Sequence, residues 1–154
     1  MGIEIERKFT VRQRAFLDGL SGERLMQGYL SHAVHATVRV RLQGEAAWLT
    51  IKGQNQGARR LEFEYPVPLD DAEQMLRQLC PAGVIDKTRY RLPAGRHVWE
   101  VDVFHGDNAG LIVAEIELAD DDEPFERPDW LGDEVTDDPR YYNSALSQTP
   151  YCRW

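Results

Sequence analysis

The sequence predicts an α+β fold in which an eight-stranded antiparallel β-barrel encloses a charged tunnel and helices pack on the outside. Three observations lead to this prediction. Most of the chain alternates apolar and polar residues with a period of two, short turns join the alternating segments, and nearly every segment has one ionic face. The 154 residues are expected to form one domain, 1–154.

Eight segments show the alternation that is typical of strands. They cover residues 3–11, 24–31, 36–42, 47–53, 60–67, 84–92, 97–105 and 111–118. The connections contain turn-forming residues, as in Gln43-Gly44-Glu45, Pro93-Ala94-Gly95 and 106–110, which are typical of hairpin loops. Successive hairpins predict an antiparallel meander.

Helix signals are fewer and lie between or after the strands. Residues 12–20 show near-helical apolar spacing, and 70–80 shows an apolar stripe that ends at Pro81. Asp70 is an N-cap candidate there, with Glu73 placed as in a capping box. Residues 139–147 are the third predicted helix.

The charged faces of the strands carry most of the information about function. Successive side chains of a strand point to opposite sides of the sheet, so charged residues two apart share a face. These groups are Glu4, Glu6 and Lys8; Arg39 and Arg41; Lys52 with Trp48; Glu62 and Glu64; Lys87, Arg89 and Arg91; Glu100 and Asp102; Glu115 and Glu117. The sign of the charge changes from strand to strand.

The amount of sheet indicates where this ionic face lies. About eight strands in a twisted sheet tend to curl or close, because an open sheet leaves its edges exposed. If the apolar face were inside a barrel, the apolar stripes of the helices would have nothing to cover. We therefore expect the ionic face to line the tunnel and the helices to cover the apolar outer wall.

Composition excludes several classes of protein. A formal net charge of −8 argues against a general nucleic-acid binder. No signal-peptide pattern and no apolar run near the roughly 20 residues of a membrane span is present, so we expect a cytoplasmic protein with no membrane partner. Cys80 and Cys152 have no zinc or redox spacing. An apolar outer wall and edge strands make a homodimer possible.

Both signs of charge in one tunnel need compensation, because buried charges must be paired, hydrated or bound to ions. Clustered Arg and Lys select a multiply charged anion, and Arg can contact phosphate oxygens in a bidentate way. Carboxylate pairs on one face suit hard divalent cations, which prefer oxygen ligands. The combination predicts a small, metal-chelated polyphosphate as the ligand.

These charged groups resemble a known family in their order along the chain. Glu4-Ile5-Glu6-Arg7-Lys8 matches the ExExK motif of the CYTH family, the triphosphate tunnel metalloenzymes, and the later pairs up to Glu117 follow the family's order. Residues 139–143 resemble the C-terminal helical segment of its short bacterial members. The resemblance implies an eight-stranded tunnel and hydrolysis, or less often cyclisation, of a triphosphate with Mg²⁺ or Mn²⁺.

The resemblance also implies roles for individual residues. The metal ligands would be Glu4, Glu6, Glu115, Glu117 and Asp102, with Glu62, Glu64 and Glu100 as further ligands or orienting groups. The phosphates would contact Lys8, Arg39, Arg41, Lys52, Lys87 and Arg89, with Arg60, Arg91 and Arg140 as second-rank candidates. Glu6 or Glu117 would orient the attacking water or take its proton, and Lys8 would neutralise charge near the scissile bond. Tyr29 could form hydrogen bonds in the tunnel or simply pack.

The first functional hypothesis is a metal-dependent inorganic triphosphatase that acts on tripolyphosphate. The short chain and the scarcity of aromatic side chains on the charged face favour a substrate without a base, although Trp48 could stack one. The enzymatic alternatives are a nucleoside or thiamine triphosphatase and a class IV adenylate cyclase. The non-enzymatic alternatives are a polyphosphate or nucleotide sensor and a structural barrel whose ions merely pair.

Overall fold

A computed structural model describes residues 2–154 and contains nine β-strands and two α-helices. The strands are β1 (Ile3–Val11), β2 (Glu23–Ala33), β3 (Ala36–Gln43), β4 (Ala46–Lys52), β5 (Arg59–Pro66), β6 (Val84–Ala94), β7 (His97–Phe104), β8 (Ile112–Glu117) and β9 (Leu131–Glu134). The helices are α1 (Leu69–Gln78) and α2 (Asn143–Gln148). Single 3₁₀ turns occur at Ala15–Leu17, Gly106–Asn108, Pro139–Tyr141 and Tyr151–Arg153.

The first eight strands close into a ring of antiparallel pairs. The order around the sheet is β5-β4-β3-β2-β6-β7-β8-β1, and β1 pairs with β5 to complete the circle. This closing contact is short, since Ile3–Ile5 of β1 face Arg59–Leu61 of β5. The predicted tunnel of eight strands is therefore confirmed.

β9 is a strand that the sequence did not predict. Its four residues pair with the end of β1, where Phe9 faces Glu134 and Val11 faces Leu131. The segment Leu-Gly-Asp-Glu is too short and too polar to show an alternating pattern. An Arg7–Glu134 ion pair on the outer side of the barrel accompanies the pairing.

The outer wall is apolar and is covered in part by the connecting segments. Phe9 and Trp99 are almost fully buried in the largest apolar cluster, where their rings meet edge to face. Trp130 packs against Trp99, and Phe16 stacks on Trp130 with ring centroids 4.3 Å apart. These contacts cover one side of the barrel without a long helix.

Helix α1 covers another part of the outer wall, as predicted. Ala72 and Leu76 on its inner side pack on Val40 of β3 and Ala47 of β4. Gly28 of β2 lies beneath the end of this segment, where an added Cβ would come within 2.7 Å of Cys80 Sγ. The absence of a side chain at Gly28 lets the helical segment approach the sheet closely.

Helix α2 lies across one end of the tunnel rather than on its outer wall. Its Leu146 is fully buried against Ile85 and Phe104, which share the inward face of their strands with Lys87 and Asp102. This inward apolar cluster fills the end of the barrel. The tunnel therefore has one closed end, which was not predicted.

The predicted helices differ from the observed ones in three respects. Residues 12–20 form only a 3₁₀ turn at Ala15–Leu17, because the apolar side chains there pack individually on the outer wall. The cap predicted at Asp70 is wrong, since α1 begins at Leu69 after Pro68 and has no side-chain cap bond. The predicted helix 139–147 is divided into a 3₁₀ turn and α2. Within residues 2–154, no helix is long and apolar enough to cross a membrane.

The close packing at Gly28 makes a testable prediction. Substitution Gly28→Ala should lower the free energy of unfolding by about 1–3 kcal/mol, because the new methyl group overlaps Cys80 Sγ and forces α1 away from β2. Urea denaturation measures this loss. In the Cys80→Ala background, part of the loss should disappear, because the shortest contact is removed. An equal loss in both backgrounds would contradict the contact.

Candidate active site

A cavity of about 340 Å³ lies inside the ring of strands. Eight cationic and seven acidic side chains line it: Lys8, Arg39, Arg41, Lys52, Arg60, Lys87, Arg89 and Arg91, with Glu4, Glu6, Glu62, Glu64, Glu100, Glu115 and Glu117. The inward position of the ionic faces, inferred from alternation in sequence, is thus observed. The near balance of charge in the cavity contrasts with the overall acidity of the chain.

Strand register places opposite charges side by side at several levels of the tunnel. Lys8 faces Glu115, and Lys52 faces Glu62. Glu6, in contrast, faces Glu117 directly across the β1–β8 pair. The β1–β8 side of the tunnel thus carries an excess of carboxylate, with Glu4, Glu6, Glu115 and Glu117 against Lys8. Like charges that face each other directly are destabilising unless another group compensates them.

The cationic wall is held by one buried carboxylate. Asp102 is 1% exposed and accepts two hydrogen bonds from Arg89, at 2.8 and 2.9 Å, while Lys87 Nζ lies 2.8 Å from Asp102 Oδ2. Burial would raise the pKa of Asp102, but the two cations outweigh that effect and hold the pKa at about 2. Asp102 therefore stays ionised and fixes the positions of Arg89 and Lys87.

Burial shifts the pKa values of two cations in this wall. It lowers the pKa of Lys87 to about 7, despite the nearby Asp102 carboxylate. Burial, together with Arg39 and Arg89, lowers the pKa of Arg41 to about 9. An anion in the cavity would oppose both effects, because it favours the charged form of each side chain.

Arg39 has unused hydrogen-bonding capacity. Its Nη2 donates to Thr50 Oγ1 at 3.1 Å and to Glu64 at 3.4 Å. Its buried Nε has no partner within residues 2–154. An unsatisfied buried donor is uncommon in native proteins, and it often marks a place where a ligand or water belongs.

On the carboxylate side, three pKa values are raised. Burial raises the pKa of Glu6 well above its usual value, and the Glu115 and Glu4 carboxylates add to the shift. Burial also raises the pKa of Glu62 and of Glu117, with Glu4 contributing to both. At these three groups the nearby cations do not outweigh burial and the neighbouring carboxylates, and a divalent cation would supply the missing positive charge.

The donor set fits Mg²⁺ or Mn²⁺, which prefer oxygen ligands. Within residues 2–154, no three acidic, histidine or cysteine side chains already converge as a complete metal site. This arrangement agrees with the way Mg²⁺ is commonly held, through one or two carboxylates together with water and substrate phosphates. The carboxylates can thus supply part of a coordination shell that a phosphate ligand completes.

Two lysines link the acidic and cationic parts of the cavity. Lys8 Nζ lies 3.3 Å from Glu115, and the nearby Glu115 and Glu6 carboxylates raise its pKa although burial opposes them. Lys52 Nζ lies 3.2 Å from both Glu4 and Glu62. Both ammonium groups are therefore held close to the carboxylates.

The structure brings nearly all of the predicted site residues together. All of them line the cavity except Asp102, which lies behind Arg89 and Lys87 and bonds to them. Of the second-rank candidates, Arg60 and Arg91 line the cavity, whereas Arg140 bonds to Asp138 at the surface. Tyr29 and Trp48 also line it. Their roles stay predictions.

Several polar residues of the cavity were not predicted. They are Thr37, Gln43, Tyr142, Asn143 and Ser144 in the wall. Gln27 and Thr50, which alternation places on the faces of Tyr29 and Lys52, bond to the wall residues Arg41 and Glu64, although no role was predicted for them. The position of 142–144 depends on how α2 crosses the tunnel, which no periodicity reveals.

Comparison with known proteins places this geometry in a family context. The CYTH domain model matches residues 2–150. An inorganic triphosphatase of Acetivibrio thermocellus is 46% identical over 151 residues, covering 98% of this chain and 97% of the relative. One of Nitrosomonas europaea is 39% identical over 150 residues, covering 94% and 96%. The crystal structure of the inorganic triphosphatase NE1496 superposes with a TM-score of 0.67 at 35% identity, covering 94% of each chain.

The Asp102 anchor can be tested through stability. Substitution Asp102→Asn should lower the free energy of unfolding by about 3–5 kcal/mol, because Arg89 would be left buried without its main partner. Urea denaturation measures the effect. The control is Asp121→Asn, which breaks the exposed pair with Arg59 and should cost about 0–1 kcal/mol. Equal costs for the two variants would contradict the anchoring role.

Proposed function

Because the chain belongs to the CYTH domain family, we propose that it is a metal-dependent inorganic triphosphatase that hydrolyses tripolyphosphate inside the tunnel. The observation that carries the proposal is the division of one cavity into a cationic wall and a carboxylate wall. Two relatives that match nearly the whole chain are named inorganic triphosphatase. In the reaction, the oxygen of water bonds to the terminal phosphorus, the bridging P–O bond breaks, and orthophosphate and pyrophosphate leave.

The phosphate chain would bind along the cationic wall. Arg39, Arg41 and Arg89 offer guanidinium groups that can contact phosphate oxygens in pairs, and Lys8, Lys52 and Lys87 offer ammonium groups. Asp102 would act mainly by holding Arg89 and Lys87 in place, since both of its oxygens already bond to them. Metal binding, the role that the family resemblance implies for Asp102, would be secondary to this anchoring.

The carboxylates Glu4, Glu6, Glu115 and Glu117 would hold the metal ion, with Glu62, Glu64 and Glu100 orienting the cations and water around it. We propose Mg²⁺ or Mn²⁺, on the grounds that the donors are hard oxygen atoms. When bound, such an ion neutralises phosphate charge and lowers the pKa of a coordinated water. It would also relieve the repulsion that raises the pKa of Glu6.

The protein's own groups would position the reactants and move the proton. Glu6 or Glu117 would orient the attacking water and accept its proton, which is consistent with the raised pKa of each carboxyl group. Lys8, held by Glu115, would neutralise the charge that develops on the phosphoryl oxygens. The enclosing barrel limits water and strengthens these electrostatic contacts.

The shape of the cavity favours a substrate without an organic group. α2 and the inward apolar cluster close one end, and most of the lining is charged. Trp48 favours the second candidate function, a nucleoside triphosphatase, because its indole lines the cavity and could stack on a base. Substrate preference therefore has to be measured directly.

A substrate panel tests the proposal. Phosphate release is measured from tripolyphosphate, ATP and thiamine triphosphate, each with Mg²⁺, with Mn²⁺ and with a chelator. We expect metal-dependent release with tripolyphosphate strongly preferred. Faster release from ATP would favour the nucleoside triphosphatase, and formation of cyclic AMP would indicate a cyclase. No release from any substrate would favour a binding protein.

Substitution Glu6→Gln separates chemistry from folding. We expect kcat for tripolyphosphate to fall about 100-fold or more, because a ligand and proton acceptor is lost. In chelator the thermal midpoint should not fall, since the change removes repulsion from Glu115 and Glu4. Glu134→Gln, which breaks the ion pair between β9 and Arg7 on the outer side of β1, is the control and should leave kcat unchanged. Full activity of Glu6→Gln would refute the assigned role.

A further inference from the structure

Asn143, the first residue of α2, lies at the meeting point of the closed end and the cationic wall. Its Oδ1 accepts a hydrogen bond from Lys87 Nζ at 3.0 Å and another from Gln27 Nε2 at 3.1 Å. Gln27 is fully buried, and its Oε1 accepts from Arg41 Nε at 2.8 Å. A chain of hydrogen bonds thus joins Arg41, Gln27, Asn143 and Lys87.

The chemistry of Arg41 fixes the orientation of both amides. Its Nε can only donate a hydrogen bond, and it donates to Gln27. Gln27 must therefore accept with its oxygen and donate with its nitrogen, and Asn143 must accept both bonds with its oxygen. Flipping either amide would place two donors against each other.

This orientation leaves the amide nitrogen of Asn143 available. Asn143 lines the cavity, and its Nδ2 donates no hydrogen bond to any group within residues 2–154. The group is a neutral donor with two N–H bonds, located beside two cations that the proposed function assigns to phosphate binding. A phosphate oxygen is the acceptor that the cations would bring there.

The geometry assigns Asn143 as a substrate-binding residue whose Nδ2 donates a hydrogen bond to the phosphate group that reaches the closed end of the tunnel. The inference rests on the proposed function for the identity of the anion. It gives α2 a part in the site as well as in closing it: one amide positions Lys87 through its oxygen and contacts the phosphate through its nitrogen. The contact selects for an acceptor-rich terminal group over an uncharged organic one.

The test compares substitutions that separate the donor from the charge. Asn143→Asp keeps the acceptor for Lys87 and Gln27 but replaces the donor with a second oxygen. Ser144→Asp adds the same charge one residue later in the same cavity wall and removes no amide donor. Ser147→Ala removes the bond between α2 and His32 and leaves the cavity intact. It controls for helix docking.

Binding of tripolyphosphate is measured by titration calorimetry in chelator, where turnover is absent. We expect Asn143→Asp to weaken binding at least about tenfold, because a hydrogen bond to a charged oxygen is lost. Ser144→Asp should weaken it less, and Ser147→Ala should bind as the unsubstituted protein does. Equal weakening in the two Asp variants, or unchanged binding in Asn143→Asp, would overturn the inference. The absence of binding by the unsubstituted protein would also overturn it, since the cationic wall needs no metal to hold an anion.

The proposed function can fail separately. If tripolyphosphate binds through Asn143 but no orthophosphate is released with Mg²⁺ or Mn²⁺, the triphosphatase proposal is wrong and the role of Asn143 in anion binding stands. If orthophosphate is released while Asn143→Asp binds tripolyphosphate normally, the triphosphatase proposal stands and the role of Asn143 is wrong.

Discussion

The confinement of both signs of charge inside a closed sheet is the constraint on which the rest of the molecule depends. A barrel turns every second side chain of each strand inward, and here most of those side chains are ionised. Buried ions are costly unless they are paired. The buried Asp102 anchors Arg89 and Lys87, Lys8 pairs with Glu115 of the neighbouring strand, and Lys52 lies between Glu4 and Glu62 of two other strands. The tunnel keeps its shape through these pairs.

Pairing is incomplete, and we propose that the residual charge is what binds the metal ion and the phosphates. The carboxylates around Glu6 repel one another, and the guanidinium groups around Arg41 do the same on the other wall. A divalent cation bound to a polyphosphate supplies both missing charges at once, so one ligand relieves both excesses. In a barrel stabilised only by its internal ion pairs, we would expect carboxylates and cations to alternate rather than to collect on separate walls.

Much of this arrangement follows from the sequence, because period-two alternation and charge are local properties. The eight strands of the ring and the inward position of residues such as Glu6 and Arg39 were predicted from spacing alone. β9 and the closed end were not predicted. Leu131–Glu134 forms a strand only because the edge of β1 is available to it, and α2 reaches the tunnel through tertiary packing of Leu146. The part played by Asn143 depends on that packing, and a neutral amide leaves no mark in a charge pattern.

The central claim is that the two walls hold the two parts of one metal-chelated phosphate chain. Crystals of the protein grown with tripolyphosphate and Mn²⁺ would test it most directly, because anomalous scattering locates the metal independently of the phosphate density. The account predicts Mn²⁺ coordinated by carboxylates of β1 and β8, with phosphate oxygens completing its shell and contacting Arg39, Arg41 or Arg89. Phosphate outside the tunnel, or Mn²⁺ only at surface carboxylates, would contradict it.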